Sequence, residues 1–181
     1  DLSRAELLLS ERGRALRAAA EAYVRAALAA QLEGAPWAAL LEAAAARGEE
    51  VGEQARTRLE ELAGQARDSG DKRGEQRLRK EADDAAKRAT RRGRTEAIDT
   101  GLALVAAWLR DLAAVGDGAA QLVMSTDRAA ELRADAEGLD PRRSRRAAEL
   151  VMDTRRRLTV NVSEELALEA LAFRLEVLLR R

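Results

Sequence analysis

The chain has 181 residues, 32 basic and 32 acidic, and is 46% hydrophobic but only 2% aromatic. It holds neither histidine nor cysteine, which removes disulfides, thiolate chemistry, the commonest general base and the commonest transition-metal ligand. Zero net charge implies no global pull toward nucleic acid or a membrane surface, and no apolar run reaches the length of a membrane span.

Alanine and leucine dominate, proline occurs twice and strand-favouring residues never cluster, so the expected fold is all-α. With so few aromatics, its core must be thin layers of alanine and leucine between closely packed helices. The apolar spacing predicts a first helix over 3–32, broken or kinked at Gly13, with Leu16, Tyr23, Ala27 and Leu28 on its apolar face. Gly34-Ala35-Pro36 reads as a turn with Pro36 at the first helical position. Trp37, Leu40 and Leu41 then anchor a short alanine-rich helix that should end near Gly48. A more polar helix follows over 49–68, with a narrow stripe at Val51, Ala55, Leu59, Leu62 and Ala66. Asp68-Ser69-Gly70-Asp71 is a turn, and the return helix carries Leu78, Ala82, Ala85 and Ala89. Two narrow stripes joined by a short turn predict an antiparallel helical hairpin over 49–93. Its other faces are nearly all charge, so it is expected to protrude as an insertion.

The return helix either continues past Gly93 or restarts near Thr95, and then becomes strongly apolar through Ile98, Leu102, Val105, Trp108, Leu109 and Leu112. Gly116-Asp117-Gly118 ends it, and short helices are expected over 118–124 and 127–136. Asp140 is placed to cap an arginine-rich helix over 141–159, with Pro141 at its first position. Asn161 is the expected N-cap of the last helix, with Glu164 in the capping-box position. At about 100° per residue, Glu165, Glu169, Glu176 and Arg180 share one stripe of that helix, and apolar residues fill most of the rest. Such a helix needs cover on more than one side, in the middle of a bundle or at a subunit interface. Arg174 falls opposite the acidic stripe and either reaches solvent near the chain end or meets an acid across an interface. These segments add up to a bundle of roughly six to eight helices.

Candidate chemistry is sparse. Asp83-Asp84 is the densest acidic pair and reads as a solvated face paired to Lys80, Lys87 and Arg88 rather than a metal site. No glycine-rich phosphate loop, Walker lysine or nucleophile elbow occurs, so the segment reads as non-catalytic, without cofactor or metal. Lys87, Arg88, Arg91, Arg92 and Arg94 are the nucleic-acid candidates, spaced to reach successive phosphates. The same residues also read as ion-pair partners of Asp83, Asp84 and Glu96, and without interleaved aromatics they form no stacking platform. A second basic cluster, Arg142, Arg143, Arg145, Arg146, Arg155, Arg156 and Arg157, has Glu149 and Asp153 as helical neighbours.

The run RRRLTVNVSEELALEAL, from Arg155 to Leu171, resembles the C-terminal signature of the delta-prime subunits of the bacterial clamp loader of DNA polymerase III. Arg156, Asn161, Leu166, Leu168, Glu169 and Leu171 fall on that pattern. Lys87 to Leu112 resembles the family's basic segment and the helix after it, which ends in an aromatic-x-Arg-Asp, here Trp108, Arg110 and Asp111. Between the two, QLVMSTDRAAEL is similar to the family's short loop with an aspartate that restarts a helix. The three matches stand in the right order and cover most of residues 87–181. At the other end, DLSRAELLL is similar to the tail of the family's lid domain, with Arg4 at the sensor-like arginine and Ser3 where glycine is commoner.

The resemblance implies that residues 1–34 hold a remnant of the preceding AAA+ lid and that 35–181 form a helical collar domain. It implies a fragment of a longer polypeptide, in keeping with a chain that starts at Asp1 without methionine. The implied function is non-catalytic oligomerisation within the cytoplasmic complex that loads the sliding clamp on DNA, part of the DNA polymerase III holoenzyme. The implied partners are the ATPase (tau/gamma) and delta subunits, met through the C-terminal helices. Arginines of the second basic cluster would there pair with acids of a neighbour. The candidate interface residues are Arg156, Asn161, Leu166, Leu168, Glu169, Leu171, Arg174 and Leu175. Two other classes stay open: a helical nucleic-acid-binding module using 87–94, and a generic helical adaptor or homodimer sealed by the last helix.

Overall fold

In the computed structural model, described for residues 7, 9–158 and 163–180, the expected all-α bundle is present. The α-helices are α1 (Glu11–Leu28), α2 (Trp37–Asp68), α3 (Lys72–Gly116), α4 (Ala129–Ala136), α5 (Pro141–Arg157) and α6 (Glu164–Leu179). Two 3-10 turns, Ala120–Leu122 and Thr126–Arg128, lie between α3 and α4, and no strand occurs among the described residues. The chain divides into one unit made of residues up to Leu41 and from Asp99 onward, and a second unit, Glu42–Ile98. The second unit is wider at both ends than the hairpin expected over 49–93. The first contains α1 together with α4, α5 and α6.

Helix α1 is shorter than its apolar pattern. It begins at Ser10, whose hydroxyl accepts the Gly13 N–H at 3.0 Å. Gly13 is buried inside the helix, so the break sits at Ser10 and not at the glycine. The helix ends at Leu28 because Ala30 turns left-handed, with φ of 54°, and the Gln31 N–H closes back on the Ala26 carbonyl at 2.9 Å. The Arg4 match lies outside the described residues.

The core of the first unit is built as layers of small and branched side chains. Leu16, Val24 and Ala27 of α1, Leu102, Val105, Leu109 and Leu112 of α3, Ala147 and Val151 of α5, and Leu168, Leu171, Leu175 and Leu179 of α6 are buried. Each buried leucine contributes about 2 kcal/mol through apolar surface removed from water. α6 packs against both α1 and α5. Tyr23 crosses the first of these contacts and donates its hydroxyl to the Leu168 carbonyl at 2.6 Å. Asp140 caps α5 as expected, accepting the Arg142 N–H at 2.8 Å with Pro141 at the first position. The cap of α6 is Ser163, whose hydroxyl accepts the Leu166 N–H. This takes the role expected of Asn161, which lies outside the described residues.

The second unit corrects the sequence reading in one respect. No helix ends at Gly48; α2 runs unbroken from Trp37 to Asp68, and α3 runs through Gly93. Glycine normally costs a helix about 1 kcal/mol, but here it lets two antiparallel backbones approach. A Cβ on Gly48 would stand 2.7 Å from the Thr90 carbonyl oxygen, and one on Gly52 would stand 2.0 Å from the Thr90 hydroxyl. A Cβ on Gly93 would meet Val51 at 3.1 Å. Ala63, Ala82 and Ala86 complete the buried seam, so the return face centres on Ala86 while Ala85 and Ala89 are only half-buried. The turn at Asp68–Asp71 is as expected: Gly70 has φ of 85° and Asp71 caps α3, accepting the Gly74 N–H at 2.8 Å.

Two predictions follow from this packing. Gly48→Ala should lower stability by about 1–2 kcal/mol, since overpacking against fixed backbone exceeds the propensity gain. Gly64→Ala, with nothing within 4 Å of its Cβ, should instead raise stability by about 0.5–1 kcal/mol. Thermal melting by circular dichroism reads both, and equal signs would show that no close approach exists at Gly48. The second prediction concerns Tyr23, the one tyrosine of the chain. Burial pushes its phenol well above the ordinary value. Its contribution to stability is therefore full below about pH 10, the unfolded value, and is lost as pH rises further. Phenolate absorbance should stay absent until the protein unfolds in alkali; ionisation near pH 10 in a still-helical protein would contradict the buried placement.

Candidate interaction site

The sequence expectation for α6 was a helix covered on more than one side, in the middle of a bundle or at a subunit interface. The structure covers one side. Leu168, Leu171, Ala172, Leu175 and Leu179 face the core. Leu166, Phe173 and Val177 are 64%, 49% and 70% exposed, and Ala170 is exposed with them. Positions 166, 170, 173 and 177 fall within one narrow arc at about 100° per residue, a stripe about 17 Å long at 1.5 Å per residue. Phe173 is held in place from behind: its ring lies 6.3 Å from the buried Trp37 ring, tilted by 48°.

The edges of the stripe carry opposite charge. Glu165, Glu169 and Glu176 run along one side, and Glu176 takes Arg180 at 3.6 Å. Arg174 is exposed along the other side and not directed into the core. The candidate interface residues therefore separate into two groups. Leu168, Leu171 and Leu175 belong to the chain's own core, whereas Leu166, Arg174 and half-buried Glu169 line the free face. Phe173 and Val177 were missing from the sequence reading. Their signal was available: they continue the spacing of Leu166 and Ala170 on the side of α6 opposite Leu168 and Leu175.

The second arginine cluster is largely spent inside the chain. Arg155 forms a two-pronged pair with Asp99, with Nη2 to Oδ2 at 2.7 Å, and this contact holds its guanidinium above the usual value. Arg145 pairs with Asp117 and Arg143 donates to the Arg180 carbonyl. Arg156 and Arg157 both reach Asp153, at 3.5 and 2.7 Å. Arg156 thus has a local partner on its own helix.

In the aromatic-Arg-Asp segment of α3, the tryptophan and the aspartate both bond to residues beyond the segment. Trp108 Nε1 donates to Asp135 at 3.1 Å, and Arg25 stacks 5.0 Å from the Trp108 ring while donating to the same carboxylate at 2.9 Å. Asp111 is buried and accepts the backbone N–H groups of Met124 and Ser125 at 3.1 and 2.9 Å. That anchor fixes the segment between α3 and α4, and on it Leu122 and Met124 stand exposed. Asp127 in the following turn pairs with Arg17 at 2.9 Å, which draws its carboxyl below the ordinary range. Two 3-10 turns stand where a helix over 118–124 and the start of one over 127–136 were expected, because these side chains set the backbone.

In the second unit, Lys87, Arg88, Arg91 and Arg92 are exposed on α3 and Arg94 is half-buried. Asp83 pairs with Arg56 of α2 at 3.4 Å, not with Lys80, Lys87 or Arg88. Among the described residues no group of three or more acids is placed to hold a metal ion, and no helix is long and apolar enough to cross a membrane.

Comparison with protein-family models, with curated proteins and with solved structures finds no match to this chain.

The Asp111 anchor is directly testable. Asp111→Ala leaves two part-buried N–H groups without their acceptor and should cost about 1–2 kcal/mol. Hydrogen exchange at the Met124 and Ser125 amides should accelerate more than exchange in α6; unchanged protection at both amides would refute the anchor.

Proposed function

We propose that this chain is the collar domain of a clamp-loader delta-prime subunit: a non-catalytic, cytoplasmic module that assembles with the ATPase and delta subunits of the complex that loads the sliding clamp. The observation that carries this reading is the apolar stripe Leu166, Ala170, Phe173 and Val177, left uncovered on a helix whose other side is core. Leu166 and Ala170 lie in the run that bears the family resemblance, and Phe173 and Val177 follow directly after it. A row of apolar side chains at helical spacing, with acids along one edge and Arg174 along the other, suits a neighbouring helix laid alongside. The apolar row supplies affinity, and the charged edges fix register and orientation.

On this reading the chain works as scaffold. Its role is to hold subunits together, and the lid and nucleotide-binding region would supply what touches nucleotide.

Assembly is measured by light scattering coupled to size exclusion, with this chain mixed with the ATPase-subunit and delta collars. A defined mixed complex is expected. The double variant Phe173→Asp, Val177→Asp should weaken it at least tenfold while melting stays cooperative, as charges enter a desolvated patch. Leu168→Asp and Leu171→Asp would not serve, because both residues are core and their loss unfolds the domain. A folded double variant that assembles normally refutes the stripe as the interface. Self-association of the unmixed chain through the same stripe would replace the collar reading by a homodimer.

A further inference from the structure

We infer that the exposed basic turn of α3, Lys87 to Arg92, is a docking surface for the phosphate backbone of a nucleic-acid duplex. The inference stands apart from the collar reading, since it uses the other unit of the chain.

The first support is charge segregation. Between Asp84 and Glu96 the sequence places five cations and no acid, in a chain whose charges sum to zero. The second is the lack of internal partners. Asp84 and Glu96, one turn before Arg88 and one turn after Arg92 on the same helix side, form no ion pair with them, Asp83 is taken by Arg56, and Glu50 on the facing helix is taken by Arg47 at 3.0 Å. Among the described residues, Lys87, Arg88, Arg91 and Arg92 have no carboxylate within ion-pair distance. Elsewhere the arginines at 17, 25, 145 and 155 each hold an acid on a different element. The third is rigidity. The basic turn lies on an unbroken stretch of α3, backed by the close contact of Gly48, Gly52 and Gly93. Binding would order side chains only, not backbone.

The chemistry points to phosphate. Three of the four free cations are arginines, whose planar forks suit phosphate oxygens. Arg88, Arg91 and Arg92 share one helix face at i, i+3 and i+4. A duplex is favoured over a single strand because no aromatic residue lies anywhere in 42–98 to stack on a base. The exposed face holds no large apolar side chain to enter a lipid layer, which argues against a membrane surface.

The test uses the whole chain and unrelated double-stranded DNA and RNA oligonucleotides, read by fluorescence anisotropy. Four neutralised phosphates predict a log–log salt slope of about −3.6, or about 100-fold weaker binding between about 50 and about 200 mM salt. Arg88→Gln, Arg91→Gln, Arg92→Gln should lose more than tenfold in affinity, and the slope should shrink by about 2.7. The control Arg73→Gln, Arg77→Gln, Lys80→Gln removes equal charge from exposed, unpaired positions on the same helix and should lose far less. Binding to either duplex with this difference between the triple variants supports the proposal. Equal losses in both variants, no binding at about 50 mM salt, tighter binding to single strands, or preference for phosphatidylserine vesicles would each overturn it. Assembly of the basic-turn variant in the light-scattering experiment should be unchanged, which separates this outcome from failure of the collar reading.

Discussion

The first unit depends on α6 having two different sides. Its sequence is apolar over most of its circumference, and α1 and α5 pack against one part of it. Leu168, Leu171, Leu175 and Leu179 take that cover, and Tyr23 locks the α1 contact with a hydrogen bond to the Leu168 carbonyl. The remaining arc, through Leu166, Phe173 and Val177, stays exposed. A monomer gains nothing from holding such a row in water. The same excess of apolar surface that makes α6 a good core helix therefore also makes it the best candidate for contact with another chain.

The poverty of aromatics shapes the second unit differently. A helix pair with only alanine-sized contacts must bring its backbones close to gain enough dispersion contact. Gly48, Gly52 and Gly93 remove the side chains that would keep α2 and α3 apart. Buried apolar area is modest there, so the helix pair has little tolerance for any added methyl at those positions. Its charged flanks contribute little to its stability, since exposed pairs such as Arg56–Asp83 are worth at most about 1 kcal/mol.

What the sequence made legible follows from what is local. Helix class, the Asp68–Asp71 turn, the Asp140 cap with Pro141 and the apolar face from Ile98 to Leu112 are all set by residues within a few positions of one another. What stayed hidden depends on partners far along the chain. Gly48 looks like a helix end until Thr90 is brought opposite. The role of Asp111 stays hidden until the Met124 and Ser125 amides reach it. Asn161 and Ser163 are both good caps by type, and only the position at which α6 begins separates them. For the candidate site, the α6 stripe was half legible. Helical spacing places Leu166 and Val177 on one face and Leu168 and Leu175 on another, but spacing alone does not say which face α1 and α5 cover.

The distribution of ion pairs separates the two units further. In the first, arginines reach across elements: Arg17 to Asp127, Arg25 to Asp135, Arg145 to Asp117, Arg155 to Asp99. Each such pair joins segments remote in sequence, and several sit beside hydrogen-bonded aromatic or backbone groups, so their charge is used for positioning. In the second unit the pairs include Arg47 with Glu50, Arg67 with Asp68 and Arg79 with Glu75, all close in sequence, while Arg56 with Asp83 spans the two helices. Local pairs leave the net charge of each helical turn to sequence order. Where that order places Lys87, Arg88, Arg91 and Arg92 with no acid among them, the field cannot be cancelled internally and extends into solvent to about a Debye length. One unit thus offers a partner apolar surface with charged edges, and the other offers charge without apolar surface. The two would respond oppositely to salt, because apolar contact strengthens as salt excludes water-exposed surface while phosphate contact weakens through lost counterion release.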